Sequence, residues 1–334
     1  MTKLMDIGEF GLIRRFAPHF AASLPPETVG IGDDCAVLPW RKGARLLVTT
    51  DLLVEDVHFL RSRISARELG RKALAVNLSD IAAMGGRPLG AFLSLGLPAG
   101  FDLEWIDAFF AGLRSLSRAA RVPLLGGDTT GTCGPLVVNL ALLGRAHPAR
   151  IKLRSGARPG DVVCVTGRLG DSAGGLRVLL EERPIGRDEA VLVRSHHRPR
   201  PHLAEGEWLA RRPAVGAMMD VSDGIASDLR RIMERSGCGA EVELKSLPTS
   251  AALRRTAARY GWNPDEVAAA GGEDYCLLAT VRAGEFGRVS ASFRRAFGRP
   301  LSAVGRITGA AGELAWLRGG RPARLESRGF DHFA

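Results

Sequence analysis

The sequence predicts an α+β protein of two domains, and three observations carry that reading. Strand-like and helix-like stretches follow one another without strict alternation, which argues against a single doubly wound parallel sheet. A Pro- and Gly-rich joint, "HPARIKLRSGARPGD", breaks both periodicities through Pro148, Gly156, Pro159 and Gly160. The chain has 334 residues, more than the ~100 to 200 of one ordinary domain. The expected division is 1–148 and 149–334.

Apolar periodicity assigns the elements in order. A helix is expected over Glu9–Phe20, a strand over "ARLLVTTDLLV", and a long helix over "SARELGRKALAVNLSDIAAMG". A strand over "PLGAFLSLGLP", a helix over Leu103–Ala120, a short strand "VPLLGG" and a strand "PLVVNLALLGRA" complete the first half. Beyond the joint come a strand "DVVCVTG", a helix from Asp171, and helices around Glu189 and Ala204. Then follow a strand "AVGAMMDVS", a helix from Ile225, and strands "GAEVEL" and "DYCLLATV" before the closing elements. No short-period repeat or low-complexity tract appears.

Composition removes several classes of function. No run approaches the ~20 apolar residues of a membrane span. Asp6 and Glu9 interrupt the N-terminus, so no signal peptide is expected and the cytoplasm is the expected compartment. The cysteines, Cys35, Cys133, Cys164, Cys238 and Cys276, are scattered without a CxxC pair, which excludes a zinc site or disulfide framework by spacing. A net charge of +10 raises the question of nucleic acid, yet the basic residues are almost all dispersed Arg. Their densest clusters, "VRSHHRPRPH" and "RRAFGRP", carry little aromatic content on which bases could stack. A solvated Arg-rich surface is the plainer reading.

Chemistry concentrates in aspartates at turns and element ends. "GIGDDCAVL" places Asp33 beside Asp34; "TTDLLVEDVHF" gives Thr49, Thr50 and Asp51 at the end of an apolar strand, then Asp56 and His58. In "ALAVNLSDIAAM", apolar on nearly every side, Asn77 and Asp80 share one face, and a buried carboxylate is costly unless paired or bound to metal. Asp128 follows Gly126-Gly127 at the expected end of a strand, with Thr129 and Thr130 beside it. In "MMDVSDGIASD", a strand leads to Asp220, and Ser222 or Asp223 is expected to cap the next helix. The carboxylates and hydroxyls are hard donors suited to Mg²⁺, and together they point to polyphosphate chemistry at several Mg²⁺ ions. A Walker A loop, the protein-kinase motifs and a GxSxG elbow are all missing, and no nucleophile pair stands out. The Gly-rich "VTGRLGDSAGGL" could receive a phosphate but lacks GxGxxG spacing.

As an ordered set over almost the whole chain, "GEFGLI", "GIGDDCAVL", "TTDLLVEDVHF", "KALAVNLSDIAAMGG", "LLGGDTT", "RSGARPGD", "VTGRLGDSAGGL", "DVSDGIASDL", "GGEDY" and "GFDHFA" resemble the thiamine-monophosphate kinase family. That family lies in the aminoimidazole ribonucleotide synthetase superfamily. The resemblance implies an N-terminal ATP/Mg-binding domain that forms a barrel across a homodimer, followed by a C-terminal α/β domain. It implies ATP-dependent phosphorylation of thiamine monophosphate to thiamine diphosphate, with several Mg²⁺ ions and no covalent intermediate. By motif, Asp34, Thr49, Thr50, Asp51, Asp80, Asp128, Asp220 and Asp223 would hold metal. Gly127, Asp128, Arg154 and Ser222 would bind ATP, and His58, Glu273 and Phe330 would face the acceptor. Phe330 stands where Tyr is common in that motif, so any part played by a phenolic hydroxyl is in question here. No general base is assigned, because an acceptor phosphate is already nucleophilic at neutral pH. Asp33 is open between a metal ligand, a residue that orients its neighbour and a hydrogen-bond acceptor for a loop.

Two other classes are weighed against this one. Among sister ATP-dependent enzymes of the superfamily, an aminoimidazole ribonucleotide synthetase stays open only against the acceptor motifs. Selenophosphate synthetase would be expected to show a reactive cysteine or selenocysteine in a Gly-rich N-terminal segment, and the hydrogenase-maturation dehydratase a C-terminal cysteine. Here the first cysteine is Cys35 and the chain ends "GFDHFA". A non-catalytic nucleic-acid-binding protein would have no need of the full set of aspartates.

Overall fold

The computed structural model describes residues 24–325, with Gly11, Ile13, Arg14, Ala17 and Pro18. Those five are helical, in keeping with the expected first helix; the rest of Glu9–Phe20, together with Phe330 and "GFDHFA", lies outside the described residues. The first half forms a five-stranded sheet in the order β1-β2-β5-β3-β4, from β1 (Ala36–Arg41), β2 (Ala44–Val54), β3 (Arg87–Pro98), β4 (Leu124–Thr132) and β5 (Val137–Ala146). Its pairings are antiparallel except β3 with β4, which run parallel. Helices α1 (Ala66–Ala83) and α2 (Leu103–Ala120) cover one face.

From Lys72 onward helix α1 is buried on almost every side because it is the central member of the fold, with the first sheet and α2 on one side and the second half of the chain on the other. Its crossing with α2 is unusually close. A Cβ on Gly70 would lie 2.0 Å from the Phe109 carbonyl oxygen, and one on Gly112 would lie 1.8 Å from that of Arg67. Two reciprocal glycines therefore set this approach. The opposite sheet face carries no element among the described residues. Leu52, Asn139, Ser94 and Asp128 stand in one cross-strand row on that face, and Leu52 and Phe92 are 51% and 41% exposed.

The second half builds a seven-stranded sheet in the order β12-β11-β8-β10-β6-β9-β7. Its strands are β6 (Val162–Val165), β7 (Val215–Asp220), β8 (Gly239–Glu243), β9 (Leu277–Val281), β10 (Ser302–Thr308), β11 (Leu314–Arg318) and β12 (Arg321–Ala323). The helices are α3 (Asp171–Leu180), α4 (Arg187–His197), α5 (Leu203–Ala210), α6 (Ile225–Ser236), α7 (Ala251–Tyr260), α8 (Pro264–Ala270) and α9 (Ala283–Phe297). Every pairing is antiparallel except β8 with β11, so the α+β class holds. No described helix is long and apolar enough to cross a membrane.

Two expectations of position change. Strand β4 starts and ends later than "VPLLGG", so Asp128 lies in mid-strand and not at a strand tip; the parallel ladder to β3 carries the segment through Gly126-Gly127 as far as Thr132. Gly127 permits this, since a Cβ there would fall 1.7 Å from the Leu93 carbonyl oxygen. Strand β2 spans the expected "ARLLVTTDLLV" against β5, so Thr49, Thr50 and Asp51 lie within the strand and not at its end.

Candidate active site

Three carboxylates from three separate segments converge. Asp34 comes from the loop before β1, Asp80 from the C-terminal end of α1 and Asp220 from the end of β7, and one oxygen of each lies within 4.8 Å of the others. Asp220 is 2% exposed, and the side chain of Asp34 is 1% exposed. Like charges so close in a low-dielectric setting repel, and burial together with the neighbouring aspartates drives the Asp80 and Asp220 carboxyls well above the ordinary range. Asp80 has one compensating contact, the Thr49 hydroxyl donating to its Oδ2 at 2.5 Å. Asp34 Oδ2 and Asp220 Oδ2 are buried without a hydrogen-bond partner. An all-oxygen cage with orphaned acceptors fits a hard divalent cation such as Mg²⁺.

A second group adjoins the first. Burial and the charge of Asp223 raise the Asp51 carboxyl to about 6. Asp228, in the first turn of α6, is 1% exposed and is pushed well up by burial, then by Asp223 and Asp220. The expected capping role of Ser222 or Asp223 does not arise, because Gly224, at φ +99°, is the N-cap of α6 and neither side chain caps it. A Cβ at Gly224 would lie 2.8 Å from the Ala270 backbone, so the turn admits only glycine. Capping therefore offers no structural reason for Asp223. Asp228 escaped the sequence reading, although "DVSDGIASD" contains it as a third carboxylate five residues after Asp223.

Arg154 joins the two halves here. Its guanidinium donates to Asp34 Oδ1 at 2.9 Å, and its backbone N–H donates to Asp33 Oδ1 at 2.7 Å. Burial opposes the Arg154 charge, and the Asp34 carboxylate outweighs it, raising the guanidinium pKa further. Asp33 is therefore the acceptor that fixes the Arg154 backbone, with Arg235 3.8 Å from its other oxygen. Asp33, Asp34, Thr49, Thr50 and Arg154 line a cavity of about 920 Å³ that also takes in Arg231 and Ile13, Arg14, Ala17 and Pro18 of the first helix.

On the other side of the cluster stands Glu273, in a loop where Glu273 (φ 63°) and Tyr275 (φ 48°) both adopt the left-handed region. Its backbone N–H donates to the Ser222 carbonyl at 2.6 Å, which seats it beside the Asp220–Asp223 turn. Its carboxylate meets Nζ of Lys72 at 2.8 and 3.0 Å and Nδ1 of His196 at 3.0 Å. Burial alone would raise Glu273; the Lys72 charge and the His196 bond reverse that and bring it down to about 2. Lys72 is completely buried and also reaches the His58 carbonyl at 3.5 Å. His58 Nδ1 in turn accepts the Val54 N–H at 3.0 Å. Thus His58 and Glu273 are brought together around a lysine that the sequence reading passed over. A cation on the all-apolar face of "RKALAVNLSD" was the available signal.

Three expected residues stand elsewhere: the Thr50 hydroxyl accepts from Asn139 Nδ2 at 2.9 Å on the uncovered sheet face, opposite Thr49. Asp128 is exposed on β4, accepts only the Thr129 N–H at 2.9 Å, and projects from the uncovered sheet face, away from the Asp34–Asp80–Asp220 group. Gly127 shares that strand. The Gly-rich turn before α3 does not lie open to a phosphate: Asp274 fills it, accepting from Gly170 N–H at 2.6 Å and Ser172 N–H at 3.3 Å.

Comparison with known proteins agrees with this layout. The N-terminal domain of AIR synthase related proteins matches residues 32–146 and their C-terminal domain residues 158–316, which places the chain in that class of two-domain proteins. Thiamine-monophosphate kinase of Escherichia coli (strain K12) is 39% identical over 99% of both chains, and that of Bacillus subtilis (strain 168) is 36% identical over 97% of this chain and 99% of its own. The solved structure of "AaThiL complexed with AMPPCP and TMP" superposes with a TM-score of 0.86 at 32% identity, covering 99% of both chains. The chain belongs to the thiamine-monophosphate kinase family.

Proposed function

We propose that this enzyme transfers the γ-phosphoryl group of ATP to the phosphate of thiamine monophosphate, giving thiamine diphosphate and ADP. The observation that carries the reading is the meeting of Asp34, Asp80 and Asp220 within 4.8 Å. That group stands between a 920 Å³ cavity and the Lys72–Glu273–His58 group. The relatives' names and the AMPPCP and TMP of the solved complex support the same pair of substrates.

Mg²⁺ held by Asp34, Asp80 and Asp220, with Asp51, Asp223 and Thr49 beside them, would neutralise the charge between two anionic reactants. The chain's own contribution is position and field. Arg154, pinned by Asp33 and Asp34, places a cation at the cavity wall for the nucleotide phosphates. Ser222, whose carbonyl accepts from Glu273, links the nucleotide side to the acceptor side. Glu273, kept ionised by Lys72, offers a carboxylate to the cationic thiamine ring system, with His58 beside it. In the transfer, the bond from γ-phosphorus to the β,γ-bridging oxygen breaks as the acceptor phosphate oxygen bonds to phosphorus; no protein nucleophile or base is required.

The working unit in this reading is a homodimer. The uncovered face of the first sheet, with Leu52 and Phe92 exposed, is the surface a second copy would close into a barrel. Asp128 lies in the same face, so it and Gly127 would act on the partner's nucleotide. Residues 1–148 would then hold ATP, metal and the dimer contact, while 149–334 supply Asp220, Ser222, Asp223 and Glu273. Phe330 would stack on the acceptor ring. The test is turnover of purified protein with Mg-ATP, offering thiamine monophosphate or thiamine and reading thiamine diphosphate by chromatography. Absence of thiamine diphosphate from the monophosphate would refute the assignment.

A further inference from the structure

We propose that a depression between α1, α2 and α4 is a second anion site, separate from the aspartate cluster, that takes a free phosphorylated anion of about diphosphate size. It is a cavity of about 420 Å³, within the span of small-ligand sites. Arg67 and Arg71 of α1, Arg194 of α4 and Arg198 just beyond its last turn line it, with Ser115 of α2 at its side. Arg194 and Arg198 belong to "VRSHHRPRPH", of which the phosphoryl-transfer site uses His196, through Glu273, and neither arginine.

Charge is what makes this more than a solvated surface. Arg67 and Arg71 are spaced i, i+4 on α1, a like-charge pair that weakens that helix by itself, and Arg194 and Arg198 bring two more cations to the same depression. Glu68 is the only acid in the lining. It is already engaged: Arg198 Nε donates to its Oε1 at 2.9 Å, the Ser65 hydroxyl donates to its Oε2 at 2.9 Å, and His197 lies 3.6 Å away. Arg67, Arg71 and Arg194 have no carboxylate partner among the described residues, whereas Arg63, Arg87, Arg177, Arg200, Arg255 and Arg259 all do. Arg71 is also half-buried, and desolvation followed by the Arg198 charge lowers its pKa. Three unanswered guanidiniums from two helices match the several oxygens of a diphosphate, because each planar fork binds two oxygens side by side. A lone carboxylate would satisfy only one of them.

The experiment is calorimetric titration of the full-length protein with inorganic pyrophosphate at low salt, with EDTA present so that the aspartate cluster holds no metal and repels the anion. One site per chain is expected, with affinity falling as salt rises. Arg71→Gln/Arg194→Gln should weaken it by about tenfold or more, and Mg-ATP turnover should stay within about twofold of wild type, since neither residue lies in the phosphoryl-transfer site. Arg194→Gln alone, on an exposed helix face, gives the same reading with a smaller loss if the double variant folds poorly. No binding to the wild type overturns the proposal. So does binding that both variants retain, or that Arg154→Gln abolishes instead. Binding of a short single-stranded oligonucleotide that pyrophosphate cannot displace would replace the small anion with nucleic acid.

Discussion

Lys72→Met removes the charge that organises the acceptor side while keeping the length of the side chain. Lys72 is fully buried, and its Nζ lies 2.8 and 3.0 Å from the two oxygens of Glu273, whose side chain is 23% exposed. Glu273 falls from an ordinary 4.5 to about 2 in the fold, which corresponds to about 3 kcal/mol of preference for the ionised form. A depressed carboxylate contributes its stability above the unfolded value of 4.5 and loses it as pH falls toward 2. At pH 7.5 the variant should therefore lose about 3 kcal/mol in chemical denaturation, within the usual range for breaking a buried pair. The deficit should shrink as the pH is lowered, because the stranded carboxylate takes up a proton and its burial then costs little.

Kinetics separate positioning from simple stability. Glu273 would lose its fixed orientation and charge, so the KM for thiamine monophosphate should rise by about ten- to hundredfold, the range of one charge-assisted contact. The KM for ATP, bound on the far side of the aspartates, should move by less than about threefold. Lys72→Met/Glu273→Gln should recover most of the lost stability without recovering acceptor binding, giving a coupling of about 2 kcal/mol or more in a double-mutant cycle. Additive stabilities, or a Lys72→Met cost below about 1 kcal/mol, would refute the reasoning: the pair would then be a bystander.

Three further outcomes are expected. Asp80→Asn should abolish turnover yet raise the melting temperature in EDTA, because it removes one of three mutually repelling carboxylates; near-normal turnover would dismiss Asp80 as a metal holder. Coexpressed Asp80→Asn and Asp128→Asn chains, each inactive alone, should regain about a quarter of wild-type activity when their dimers form at random, since a crossed dimer keeps one site with both residues intact. No recovery would mean that Asp128 acts within its own chain. Asp51, raised to about 6, and Asp80 and Asp220, raised well above the ordinary carboxylate range, stabilise the metal-free fold at low pH and cease to do so as pH rises through their folded values. The gain in melting temperature on adding Mg²⁺ should therefore grow between pH 5 and 8; a flat increment would rule out these carboxylates as the binding groups.

What could be read in the sequence was whatever depends on local pattern. The boundaries of β2, α1, β3 and α2 fall within two residues of the expected ones because each alternation or helical period is long and bounded by Gly, Pro or Asp. Strand β4 was misplaced because Gly-Gly-Asp-Thr-Thr has poor strand propensity and is extended only by its partner β3, a tertiary effect. Strand β1, helices α7 and α8 and strands β10 to β12 were not named individually, being short and flanked by charge. Asp80 was legible as a costly carboxylate in apolar surroundings, and Asp34 and Asp220 as hard oxygen donors at element ends. Their meeting was not, because it requires α1 to lie between the two sheets.

The same geometry explains why Asp33 and Asp34, adjacent in sequence, do different work. Asp34 turns toward Asp80 and Asp220, while Asp33 turns to the Arg154 backbone in the joint between the halves. Like charges side by side are tolerable when each faces a different cation or donor. One carboxylate then holds the joint while its neighbour serves the site, so Asp33→Asn should leave the cage intact and loosen Arg154. Asp34→Asn should do the reverse: Arg154 stays in place through its backbone, and the metal loses a ligand. A nucleotide KM that rises in the first variant, and a Mg²⁺ requirement that rises in the second, would separate the two roles; identical defects would mean that the pair acts as one ligand.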